Sequence, residues 1–100
     1  MATTSKALFR GAAATSSTLL YTVPSATTTV ITDLVVTNTA ASAATFTVLL
    51  NDVSIATTVS VAANDSTVIS MKQVLAATQT IKGSASATTV NFHISGVEIS

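Results

Sequence analysis

Cysteine is absent from the sequence, which rules out disulfides, thiolate metal ligands and cysteine nucleophiles together. Small secreted domains often depend on disulfides, so the expectation is folding in a reducing cytoplasm. Charge is equally scarce. Lys and Arg number 4, Asp and Glu number 4, and the formal net charge is zero. Lys6, Arg10, Lys72 and Lys82 are scattered along the chain and form no basic stripe. Displacing counterions from phosphates needs clustered cations, so no nucleic-acid partner is expected. No apolar run exceeds four residues, whereas a membrane helix needs about 20. The first ten residues, MATTSKALFR, hold no apolar signal core, so no membrane partner is expected either. Aromatic residues are few: Phe9, Tyr21, Phe46 and Phe92. Sugar platforms usually need exposed rings, and these four must also serve the core.

What remains is β-branched and small. Ala, Ser and Thr make up about half of the 100 residues, far above ordinary usage. The apolar period is mostly two, and turn residues recur about every ten positions. Strands are predicted at Leu19 to Val23, Thr29 to Asn38, Ala44 to Leu50, Val53 to Val61, Ser66 to Lys72 and Gln79 to Ala85, with a last one running to Ile99. Pro24 stops the first of these, and Asn51-Asp52 suits a tight hairpin because both residues tolerate positive φ. In the longest strand Val30, Leu34 and Val36 share one face, and Ile31 and Val35 the other. VLAATQ (Val74 to Gln79) is short enough for only a brief helical turn. Seven or eight short strands at this spacing predict an all-β, antiparallel β-sandwich, Ig-like or jelly-roll-like. Residues 1–17 are read as an N-terminal arm or edge segment and 18–100 as the sandwich domain. KALFR is its candidate edge strand.

The last strand changes phase. Val90, Phe92 and Ile94 alternate with polar residues; after Gly96 the apolar positions become Val97 and Ile99. A glycine inside a strand often marks a bulge, which reverses the inward face. Val97 and Ile99 are therefore expected in buried space at a corner of the sandwich, with a neighbouring subunit's surface as the alternative.

Candidate chemistry is thin. His93 is the only histidine and shares a face with Asn91 and Ser95; no second ligand or orienting carboxylate sits beside it in sequence. No G-x-S-x-G occurs. Asn64-Asp65-Ser66 matches a glycosylation pattern that chance explains without a secretion signal. The Thr-x-Thr pairs lack the fixed repeat of a solenoid; threonine's strand propensity accounts for them. No catalytic residue, metal or cofactor is expected, and the chain is read as a non-enzyme.

The succession LYTVP, VVTNTAASAATFTVLLND, VAANDS and SGVEI resembles a family of small structural proteins of tailed bacteriophages. That family carries a YTVP turn, a hydrophobic strand ending in Asn, an A-N-D/S turn and a terminal S-G-V-E-[IL]. Its members often have Asp-Gly at the hairpin and Ala-Gly after the proline, where this chain has Asn51-Asp52 and Ser25-Ala26. The resemblance implies a virion component, with no catalytic residues to carry over. Within that class the expectation is a capsid decoration (cement) protein made in the host cytoplasm, whose partners are the major capsid protein and copies of itself, trimers being the guess. The candidate interface residues are Leu8, Phe9 and Arg10 on the arm, and Val97 and Ile99. A tail, collar or baseplate module, or a receptor- or carbohydrate-binding sandwich, are the alternatives.

Overall fold

The computed structural model describes Ala2 to Ser100; Met1 lies outside the described residues. Eight strands account for most of the described residues: β1 (Thr3–Ala12), β2 (Thr18–Thr22), β3 (Thr28–Asn38), β4 (Ala44–Leu50), β5 (Val53–Val61), β6 (Asp65–Leu75), β7 (Thr80–Ala85) and β8 (Val90–Ile99). They form two antiparallel four-stranded sheets, sheet A in the order β1-β8-β3-β6 and sheet B in the order β2-β7-β4-β5. Two sheets wound from eight strands in this order make a jelly roll. The sandwich is elongated, 46 × 21 × 18 Å.

Alternation builds the core. Phe46, Val48 and Ala44 of β4, Ile81 and Ala85 of β7, and Val90, Phe92 and Ile94 of β8 all point inward and are buried. Phe46 and Phe92 meet between the sheets edge to face, with centroids 6.1 Å apart and planes at 74°. Such a pair is worth about 1 kcal/mol beyond the area it buries.

Two sequence expectations about inward faces are corrected. In β3 the buried positions are Thr29 and Ile31, then Leu34, Val36 and Asn38. The phase changes at Thr32, where the pairing with both β6 and β8 shifts register. That bulge brings Ile31 to the same inner face as Leu34 and turns Val30 and Val35 outward. In β8, by contrast, burial at Val90, Phe92, Ile94 and Gly96 runs without a break. The irregularities lie in its neighbours: β3 at Thr32, and β1 between Ala7 and Phe9. Gly96 is itself the inward residue, and Val97 and Ile99 lie on the outer face of sheet A rather than in a corner of the core.

The Asn51-Asp52 hairpin forms as the sequence predicts. Leu50 pairs with Val53, and both turn residues have positive φ, 51° and 64°, the signature of a type I′ turn. VLAATQ is not helical. Val74 and Leu75 finish β6, and Ala76–Gln79 is a turn closed by Gln79 N–H donating to Ala76 O at 3.1 Å. Thr78, at its third position, has φ of 70°. Positive φ is costly for a β-branched residue and free for glycine. Thr78→Gly is expected to stabilise the fold by about 0.5–1 kcal/mol after the entropy that glycine adds to the unfolded chain, visible as a melting temperature about 3–5 °C higher.

Candidate interface

The five candidate residues separate in the structure. Leu8, at the β1 bulge, is 7% exposed and belongs to the core. Phe9 pairs with Ile94, is half-buried and packs against that core. The segment that carries them is edge strand β1 of sheet A. Arg10 is exposed and lies opposite His93. Val97 pairs with Ser5 and Val30, and Ile99 with Thr3 and Thr28. Arg10, Val97 and Ile99 therefore share one surface, the outer face of sheet A.

Register shows what else lies on that face. One row across the sheet reads Ser5, Val97, Val30 and Val74; the next but one reads Arg10, His93, Val35 and Val68. Val74 and Val68 are 65% and 61% exposed, so this is apolar surface in contact with water. Between the rows lie Ala7, Ser95, Asp33 and Ser70. Arg10, Asp33 and His93 are the ionisable groups of these rows. The face is thus apolar in patches and poor in charge. Val30, Val35, Val68 and Val74 were not picked out from sequence. Each has an apolar neighbour in its own strand, so alternation alone does not say which of the two points outward.

The two ends of the sandwich hold its polar interior. At one end Tyr21 of β2 reaches across from sheet B. Its hydroxyl donates to Glu98 Oε2 and lies 2.9 Å from Thr29 Oγ1. Lys6 Nζ stands 3.4 Å from the same carboxylate. The Tyr21 hydrogen bond holds Glu98 below its ordinary value, with Lys6 adding to the effect and desolvation opposing it. Desolvation first, and then the bond to Glu98, raise Tyr21 above its ordinary 10.0. A carboxylate with a depressed folded pKa stabilises the fold above its unfolded value and loses that contribution as the pH falls through the folded one. The tyrosine's contribution is present below pH 10.0 and fades as the pH rises through its raised value. Tyr21→Phe is expected to cost about 1 kcal/mol at neutral pH. It should also flatten the fall in melting temperature between about pH 6 and 3, as followed by circular dichroism.

At the other end Asn38, fully buried, closes β3. Its Nδ2 donates to Ser42 O at 2.8 Å and lies 3.4 Å from Val61 O and Ala62 O. Its Oδ1 accepts from Ala40 N–H at 3.1 Å and Thr89 Oγ1 at 3.2 Å. These bonds knit the loops after β3, β5 and β7 together, and none of them leaves a group poised for chemistry. Among the described residues no three His, Asp or Glu side chains come together as a metal site requires, and His93 lies on the open outer face beside Arg10. No family model matches the chain, and no curated protein matches it.

Proposed function

We propose that the chain is a structural subunit of a tailed-phage particle, and within that class a capsid decoration protein that binds the outer shell and stabilises it. One observation carries it: the residues of the phage-like motifs sit where the backbone leaves little choice. The Asn that ends the VVTN strand is the buried Asn38. The Asn of AANDS has φ of 53°. Ala26 and Asp52 have φ of 56° and 64°, and they are the two turn positions at which the resembling family carries glycine, the residue that adopts such angles freely. The jelly roll is also an architecture of viral shells, although a fold alone does not assign a role.

The outer face of sheet A suits the task. A surface with few charges docks without stranding unpaired ions, which would be costly, and exposed Val68 and Val74 supply apolar contact. A shell offers many equivalent sites, so a modest interface per copy suffices when copies engage together. The sugar-binding alternative finds no support in the rings: Phe46 and Phe92 are buried, and Phe9 and Tyr21 pack against the core.

The test is made on particles of the virus that encodes the chain. Stained gels should show it in many copies per particle, and particles lacking it should break at lower temperature while keeping their tails. A few copies confined to tails would favour the tail or baseplate reading, and complete absence from virions would overturn both. Val68→Glu with Val74→Glu should leave the melting temperature nearly unchanged, since both side chains already face water, and should abolish attachment to stripped shells.

A further inference from the structure

The two halves of β1 are held very differently. From Phe9 onward the strand is anchored. Phe9 packs against the core, Ala13 is buried, and Ala13 N–H donates to Val90 O at 2.8 Å. From Thr3 to Ala7 every residue is exposed. This half buries no side chain. It is attached by its backbone ladder, Thr3 opposite Ile99 through Ala7 opposite Ser95, by the two main-chain bonds between Ala2 and Ser100 just before it (2.7 and 2.9 Å), and by the ion pair from Lys6 to Glu98. An ion pair with its lysine half in water adds little to stability. Between the halves stands Leu8, in the bulge where the register shifts and where the ladder is already interrupted.

We infer that Thr3–Ala7 exchanges between copies of this chain, the segment of one molecule pairing with Ser95–Ile99 of another, with the Leu8 bulge as the hinge. The chemistry is the same in both arrangements: one antiparallel ladder, in one register, with Lys6 of one copy beside Glu98 of its neighbour. An exchanged segment therefore loses no contact that the closed monomer makes, and concentration decides the balance. Opening removes no apolar surface from the core, because Leu8 and Phe9 stay seated. While the segment is away, β8 presents a bare edge, and an unpaired edge is a template for another strand. The Lys6–Glu98 pair that ties this segment to β8 is joined by Tyr21 of β2, whose hydroxyl donates to Glu98 and lies against Thr29 of β3; protonating Glu98 weakens the pair, so acid speeds the exchange. The exchange needs no other protein, so it stands whether or not the chain decorates a shell.

Two measurements test it. Amide hydrogen exchange of the intact chain should show residues 3–7 at least ten times less protected than residues 9–12; equal protection would overturn the inference, since the segment would then not open. In the second, chains carrying Ser5→Cys are mixed at high concentration with chains carrying Val97→Cys and gently oxidised. Positions 5 and 97 face each other across the ladder, so exchange predicts a disulfide between the two kinds of chain, identified by peptide mass spectrometry. Its yield should rise with concentration and exceed at least tenfold that of Ala12→Cys mixed with Val97→Cys, in which the first cysteine sits on the anchored half. Equal yields from the two mixtures would mean random collision and no strand exchange.

Discussion

Gly96→Ala is expected to destabilise the protein by about 3 kcal/mol, the upper part of the range for forcing an extra carbon into a packed site. The added Cβ would stand 2.5 Å from Val30 O and 2.8 Å from Leu8 Cδ1, with Ile31 Cα at 3.4 Å. The closest of these atoms is a main-chain oxygen in the middle of sheet A, and it cannot swing aside as a side chain can. The three glycines form an internal scale. At Gly83 the new carbon meets Leu20 Cδ1 at 3.0 Å and Phe92 Cε2 at 3.1 Å, both side-chain atoms, for a cost of about 1 kcal/mol. At Gly11 the nearest atom is Phe9 Cζ at 3.4 Å, an ordinary contact, and alanine should be neutral or better by a few tenths, because glycine weakens a strand interior. Urea denaturation of the three variants should return the order 96, 83, 11, with the first lowering the melting temperature by about 15 °C. A Gly96→Ala protein within 1 kcal/mol of the parent would mean that the strands beside β8 do not close over it.

The reason for that crowding explains why the last strand was hard to read from sequence. A glycine followed by a change of apolar phase is what a bulge in the same strand produces. Here the bulges belong to β1 and β3, on the two sides of Ser95, and beside them Leu8 Cδ1 and the Val30 carbonyl oxygen fill the space that a Cβ at position 96 would need. Nothing within NFHISGVEIS tells these cases apart, since the deciding atoms come from residues about 65 and 90 positions earlier. Local signals fared differently. Asn51-Asp52, Pro24 and the AANDS cluster mark turns through their own backbone preferences, and the structure places turns at each of them. The candidate interface shows the same division. Alternation put Val97 with Ile99 on a shared face. Which face met water depended on a partner sheet that no stretch of one strand names. Leu8 entered the core because its bulge turned it inward, and of the arm or edge segment expected at 1–17, Thr3–Ala12 forms edge strand β1, whose backbone completes the ladder on β8.

Asn38→Asp should be the most damaging isosteric change in the molecule, and its signature is a dependence on pH. The amide nitrogen faces three main-chain carbonyls, those of Ser42, Val61 and Ala62. A carboxylate in its place would keep the Ala40 and Thr89 donors on one oxygen but set the other, negative oxygen against three acceptors in a fully buried site, and a buried charge held against acceptors is costly. The variant escapes by keeping its proton, which raises the folded pKa of the new acid above its unfolded value of about 3.9. A raised pKa means that the deficit is smallest below the unfolded value and grows as the pH climbs through and beyond it. At neutral pH the loss relative to the parent should be about 4 kcal/mol; near pH 3 the protonated acid donates one of the lost bonds, and the gap should narrow by half or more. Asn38→Leu supplies the contrast. It strands the same carbonyls and the Ala40 N–H for about 3 kcal/mol, but carries no proton to lose, so its gap from the parent should stay level across that range. The parent weakens in acid as Glu98 protonates, so each variant is compared with the parent at the same pH. Parallel curves for the aspartate and leucine variants would show that the Asn38 amide does not hold the loops together through those three carbonyls.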